Sequence, residues 1–241
     1  MSSKKSAFNE LASYYDLIYS WKNYQQEANK IKSLIAKYKK SAGNDLLEVA
    51  CGTGKHIQYL KDSFSILATD ANKAMLTIAK RNFPDVTFKQ ADMIQLDLGK
   101  TFDIIICLFS AIGYIKTYSN LNKTIKNFAQ HLKPGGIVII EPWFTDSAYI
   151  SGLPTMTTYD GESIKIARLC VCKKKGMLSI MDMHYLIAEK DQSTQHFVER
   201  HELALFDINK TLNIMDKYGL KAKFLKNGLM KDRGLYIGIK K

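Results

Sequence analysis

The residues best placed to do chemistry lie in one stretch, Leu46-Leu47-Glu48-Val49-Ala50-Cys51-Gly52-Thr53-Gly54-Lys55-His56. A short apolar run, a glycine turn and the start of a helix follow one another here, which is the order of a nucleotide site. Glycines let backbone amides approach a ligand closely, and the helix start presents unpaired N–H groups. Asp70 follows Gly52 by 18 residues, at the end of the next apolar run. An acidic group so placed can accept both hydroxyls of a ribose. An adenosine-type cofactor is implied, against the alternative of a glycine turn that binds nothing. A dinucleotide is disfavoured because the third glycine position of its fingerprint falls on Ile57, where a branched side chain hinders close helix–strand packing. Gly54-Lys55 is followed by His56 and not by Ser or Thr, so the P-loop pattern fails and nucleotide hydrolysis is disfavoured as well.

The elements that must position these residues can be read from apolar periodicity. An opening helical zone carries Phe8, Leu11, Tyr15 and Ile18 on one stripe and Ala28, Ile31, Ile35 and Tyr38 on another, and Gly43-Asn44 closes it. Strands are predicted at 46–50, 65–69, 86–89, 102–108 and 137–141, with helices at about 55–61, from the Asn72 cap onward, and at about 118–132. Pro134-Gly135-Gly136 stops the last of these before its strand. The run 102–108 is almost unbroken apolar residues, as for a central strand covered on both faces. Beyond Pro142, residues 163–172, 177–188 and 194–205 look like consecutive antiparallel strands, joined at 174–176 and 189–193. A helix at 208–218 and strands at 221–225 and 235–239 end the chain. The expected fold is α/β: a Rossmann-like, seven-stranded, mostly parallel sheet from residues 1–150 and 206–241, with an inserted antiparallel β lobe at 151–205.

Composition sets the outer bounds. With 241 residues, 46% hydrophobic and 24% charged, the chain suits one large domain or one with an insertion, and disorder is excluded. No apolar run approaches the ~18–20 residues that cross a bilayer, and no apolar leader follows Lys4-Lys5, so a cytoplasmic protein without a membrane partner is expected. The four cysteines form no C-x-x-C. Cys170 and Cys172 share a strand face, but two further metal ligands are missing, and no metal is expected. The net charge of +12 invites an anionic partner, yet only four of the 35 basic residues are Arg, the residue of bidentate phosphate and base recognition. A solvated lysine surface accounts for the charge better than a nucleic-acid face.

Four segments resemble the class I S-adenosylmethionine (SAM)-dependent methyltransferases: Glu48-x-Ala50-x-Gly52-x-Gly54, Asp70-Ala71, Gln90-Ala91-Asp92-Met93, and His131-Leu132-Lys133-Pro134-Gly135-Gly136. The resemblance implies that the first lies against the methionine and ribose, that Asp70 holds the ribose hydroxyls, and that Asp92-Met93 borders the adenine. Ala50 departs from the family's usual glycine. Further segments, Tyr14-Tyr15-Asp16-Leu17-Ile18, Leu108-Phe109-Ser110-Ala111-Ile112-Gly113-Tyr114, Glu141-Pro142-Trp143 and Arg233-Gly234-Leu235, look like the dTDP-amino-sugar N,N-dimethyltransferases, and that likeness runs from about Tyr14 to the end. It implies SAM as cofactor, S-adenosylhomocysteine as product, and a nucleotide-linked amino sugar as substrate.

Methyl transfer to an amine is an in-line displacement, so nitrogen, carbon and sulfur must be aligned and water excluded. Tyr114, in the loop after the central strand, is the first candidate to position or deprotonate the amine; a packed aromatic is the alternative. His184, in the lobe that could roof the site, is the second, although a satisfied strand histidine accounts for it better. His56, His131, His196 and His201 are read as lacking clustered carboxylates and metal spacing and receive no chemistry. Tyr15, Tyr24, Phe109 and Trp143 offer aromatic faces for a cation or a thymine ring, the first two implied by resemblance to close over the cofactor beside Leu108. Ser110 and Arg233 complete the substrate side, Arg233 as a fork for the diphosphate. Methylation of another small molecule, or of RNA, is the alternative function. Open strand edges in the lobe would permit a homodimer.

Overall fold

A computed structural model describes residues 11–241, so Phe8 lies outside the described part. The chain forms two compact units. One comprises Asn23–Tyr149 with Ala204–Lys241, and the other the described residues up to Lys22 with Ile150–Leu203.

The larger unit holds a seven-stranded sheet. Its strands are β1 (Asp45–Val49), β2 (Ser65–Asp70), β3 (Thr87–Gln90), β4 (Phe102–Cys107), β5 (Leu132–Ile140), β11 (Leu220–Leu225) and β12 (Leu235–Lys240), in the order β11-β12-β5-β4-β1-β2-β3. The first five run parallel, and β12 is antiparallel to both β5 and β11. The expected seven-stranded, mostly parallel sheet is therefore present. Its helices are α2 (Tyr24–Tyr38), α3 (Ile57–Leu60), α4 (Lys73–Asn82), α5 (Tyr118–Gln130) and α6 (Ile208–Lys217). Every residue of β4 is buried, as its unbroken apolar run requires. Ala28, Ile31 and Ile35 of α2 pack with Leu46, Ile104, Ile106, Ile137 and Ile139 in the main core.

Two local expectations are corrected. The helix after the glycine turn is one turn long, Ile57–Leu60. Pro134-Gly135-Gly136 does not precede the fifth strand but lies inside it: Phe102 pairs with Leu132 and Ile104 with Ile137, so the glycines form a bulge. The carbonyl of Gly135, at φ +75°, accepts from Lys40 N and Ser41 N.

Asp103 ties the amino ends of three strands. It is almost fully buried in β4 and accepts from Gly43 N and Asp45 N at 3.1 Å and from Lys133 Nζ at 2.7 Å. Burial alone would raise its pKa, but Lys133 and the backbone donors outweigh that and hold the carboxyl below its ordinary value. A depressed folded pKa contributes stability that is complete above the unfolded value of about 4 and is lost as pH falls through the folded value. Asp103→Asn is therefore expected to cost about 2–3 kcal/mol at pH 7. The gap from wild type should shrink below about pH 4, as read by urea unfolding at both pH values.

The smaller unit contains α1 (Tyr15–Ile18) and a five-stranded antiparallel sheet. The strands are β6 (Pro154–Asp160), β7 (Ile164–Val171), β8 (Lys173–Lys175), β9 (Leu178–Glu189) and β10 (Gln195–Ala204). β6 and β8 were not expected from the sequence. Leu11 and Ile18 pack on Ile166, Tyr185 and Ile187, while Arg168 donates to Tyr19 Oη at 2.8 Å. Among the described residues, no helix is long and apolar enough to cross a membrane.

Candidate active site

In an open parallel sheet a ligand crevice forms beyond the carboxyl ends of the strands, where the strand order reverses. That point lies here between β1 and β4. From β1 the chain enters the glycine turn, with Ala50, Gly52 and Gly54 at φ +58°, +57° and +83°. Ala50 adopts a left-handed conformation that a Cβ disfavours and a glycine would adopt freely. A Cβ at Gly52 would meet nothing within 4 Å, so the turn's edge faces open space.

Asp70, at the end of β2, fixes the turn. Its Oδ2 accepts from Gly52 N and its Oδ1 from Asn72 N, both at 2.8 Å. Each oxygen keeps a further lone pair for a ligand hydroxyl. Burial raises the Asp70 pKa, and the backbone donors oppose that shift. Asn72 caps α4 as expected, accepting from Ala74 N and Met75 N. Beyond β3, exposed Asp92 accepts from Ile94 N and opens a short turn at Met93–Gln95, while Gln90 donates to the carbonyl of Ala71.

The β4 side is more tightly built. After buried Leu108, Phe109 and Ser110 are consecutive left-handed residues, at φ +49° and +64°. Such strain persists only where surrounding contacts fix it, and it clusters at functional sites. Phe109 N donates to Glu141 Oε2 at 2.7 Å, and Ser110 Oγ donates to the carbonyl of Pro142 at 3.0 Å. Arg233 donates to Ser110 Oγ at 3.0 Å, its guanidinium 4.4 Å from the Trp143 ring centroid and within 6 Å of Phe109 and Phe144. Arg233 is only 9% exposed, so it is no solvated surface charge. Tyr114 follows in the turn Ala111–Ile115 and is 46% exposed.

His56 is the residue that sequence reasoning missed, and its assignment is corrected. Carboxylates do cluster on it: Nε2 lies 2.8 Å from Glu27 Oε2 and Nδ1 lies 3.8 Å from Glu48 Oε1, with the Tyr24 ring edge-on at 5.0 Å. His201 likewise has a carboxylate neighbour, Glu199 at 3.1 Å. Glu27 and Glu48 approach His56 through tertiary packing and not through sequence spacing. A signal was nonetheless present, since Glu27 occupies the same four-residue row as Ile31 and Ile35, the buried row of α2. His131 is structural, with Nδ1 donating to Asn127 O and Nε2 accepting from Leu98 N. In the smaller unit, Tyr15 lies on α1 with its ring 4.7 Å from that of Tyr19. His184 is exposed on β9 and stacks on His196, their nitrogens 3.2 Å apart.

These groups suit an adenosine-type cofactor with a cationic end: a glycine turn open to space at Gly52, carboxylate lone pairs beside it, and a Glu48 Oε2 that is buried without a hydrogen-bond partner. Residues 46–136 match the family described as "Methyltransferase domain". The chain is 32% identical to the dTDP-3-amino-3,4,6-trideoxy-alpha-D-glucopyranose N,N-dimethyltransferase of Streptomyces venezuelae, over 95% of this chain and 97% of that one. It is 33% identical to the dTDP-4-amino-2,3,4,6-tetradeoxy-D-glucose N,N-dimethyltransferase of Saccharopolyspora spinosa, over 95% and 92%. Among solved structures it is similar to Streptomyces venezuelae DesVI, with a TM-score of 0.90, 31% identity, and 95% and 98% of the two chains covered. SAM-bound CalS10, an amino pentose methyltransferase from Micromonospora echinaspora, gives a TM-score of 0.83 at 26% identity, over 91% and 92%.

Proposed function

The chain belongs to the SAM-dependent methyltransferase family that includes the dTDP-amino-sugar N,N-dimethyltransferases, and from that premise we propose that it methylates, twice, the amino group of a dTDP-linked amino-deoxyhexose. One observation supports this above the others: the likeness runs through both units, lobe included, whereas the methyltransferase pattern alone spans residues 46–136.

SAM, when bound, supplies a methyl group on a sulfonium, a leaving group good enough that the protein needs chiefly to align and desolvate. In this proposal the backbone of the Gly52–Gly54 turn lines the cofactor, Asp70 accepts the ribose hydroxyls, and Asp92 and Met93 border the adenine. Tyr114, exposed beyond β4, positions the acceptor amine or takes its proton through a water path. Ser110 and Trp143 hold Arg233 as the anchor for the diphosphate, so the strained Phe109–Ser110 segment joins the anchor to Tyr114.

Of the other three arginines, two are already engaged by protein groups: Arg168 by Tyr19 and Arg200 by Asp182. That disfavours RNA as the acceptor. The test follows S-adenosylhomocysteine formation with dTDP-3-amino and dTDP-4-amino deoxyhexoses, and with structured RNA over a salt series. Turnover on an amino sugar with little salt dependence is expected. Turnover confined to RNA and falling steeply with salt would overturn the proposal.

A further inference from the structure

Glu27, His56 and Glu48 are each more than nine-tenths buried and come from three different elements: α2, the segment after the glycine turn, and β1. Ionisable groups removed from water to this degree cost several kcal/mol unless paired. Glu27 and His56 pair at 2.8 Å. Glu48 is less complete, because its Oε1 stands 3.8 Å from His56 Nδ1, beyond hydrogen-bond length, and its Oε2 has no partner. Two carboxylates thus flank one imidazole, and the Glu48 Oε2 atom at the carboxyl end of β1 is left without a donor. Burial, and Asp70 beside it, push the Glu48 pKa up to about 8.

α2 is fixed independently of this cluster. Asn23 caps it by accepting from Gln26 N, and Ala28, Ile31 and Ile35 sit in the main core. The Glu27 carboxylate is therefore presented by a rigid element, and with Nε2 engaged the imidazole turns Nδ1 toward Glu48. A donor for that oxygen has a natural source in this family's cofactor, whose amino-acid end carries an ammonium.

We propose that Glu27 and His56 are positioning residues for that end of SAM: Glu27 fixes the imidazole, the imidazole orients Glu48, and Glu48 presents its unpaired oxygen to the α-ammonium. This rests on the SAM dependence of the family and is independent of which acceptor is methylated. It also couples α2, far from the glycine turn in sequence, to cofactor affinity.

The test is calorimetric binding of S-adenosylhomocysteine and of its analogue lacking only the α-amine, to wild type, Glu27→Gln, His56→Gln and Glu48→Gln. Each variant should bind S-adenosylhomocysteine about 5- to 30-fold more weakly, the scale of one charge-assisted contact, and the desamino analogue within about twofold of wild type. The double variant Glu27→Gln with Glu48→Gln should be no worse than Glu48→Gln alone. Glu27→Gln keeps an acceptor for Nε2–H and so remains informative if His56→Gln fails to fold. Equal losses for both ligands would make the pair merely structural support for the turn and overturn the proposal, as would no loss for either. Failure of the wild type to bind S-adenosylhomocysteine at all would instead overturn the cofactor assignment itself.

Discussion

Asp70→Ala should weaken cofactor binding by about two orders of magnitude while leaving the sheet folded. Each Asp70 oxygen accepts one backbone N–H, from Gly52 and from Asn72, so the side chain both shapes the glycine turn and offers its remaining lone pairs to the ribose. Hydrogen bonds to a charged group contribute about 1.5–3 kcal/mol each, and 1.4 kcal/mol is tenfold in affinity. Asp70→Asn keeps one acceptor oxygen and should lose about tenfold. Calorimetry with S-adenosylhomocysteine gives the affinities, and far-UV circular dichroism verifies the fold. Unaltered affinity in Asp70→Ala would remove Asp70 from the site.

Arg233→Ala should raise the KM for the sugar nucleotide ten- to a hundredfold and leave the KM for SAM near wild type. Its guanidinium is buried against Trp143 and bonded to Ser110, which orients the planar fork before any substrate arrives. Arg233→Lys retains the charge without the fork or the stacking face and should recover only part of the loss. Truncation also empties the space between Ser110 and the aromatic rings, so a stability loss of about 2 kcal/mol should accompany it in denaturant unfolding. Equal increases in both KM values would point to collapse of the Phe109–Ser110 segment. A sugar KM that does not move would confine Arg233 to structural support.

Strands covered on both faces were legible because burial leaves no polar alternation to obscure them, as in the run Phe102–Cys107. The glycine turn and the Asn72 cap were legible because only a few residue types satisfy those backbone positions. β6 was hidden because most of its residues are exposed and its strand character comes from pairing with β7, while β8 is three lysines given strand form by β9. Pro134-Gly135-Gly136 read as a stop, yet the bulge lets the chain pair with β4 on both sides of it. At the site, Asp70 could be placed by its distance from Gly52. Glu27 could not be joined to His56 without the packing of α2 on β1, and the burial of Arg233 depends on aromatic residues from two other strand ends.

The most direct measurement is mass spectrometry of the products after incubation of the purified protein with SAM and each of a set of dTDP-3-amino and dTDP-4-amino deoxyhexoses. Two successive methyl increments on one amino sugar, with two equivalents of S-adenosylhomocysteine formed, are the expected result and fix the position of the amine. Protein that binds S-adenosylhomocysteine but adds no methyl group to any amino sugar would contradict N,N-dimethylation of a nucleotide-linked amino sugar.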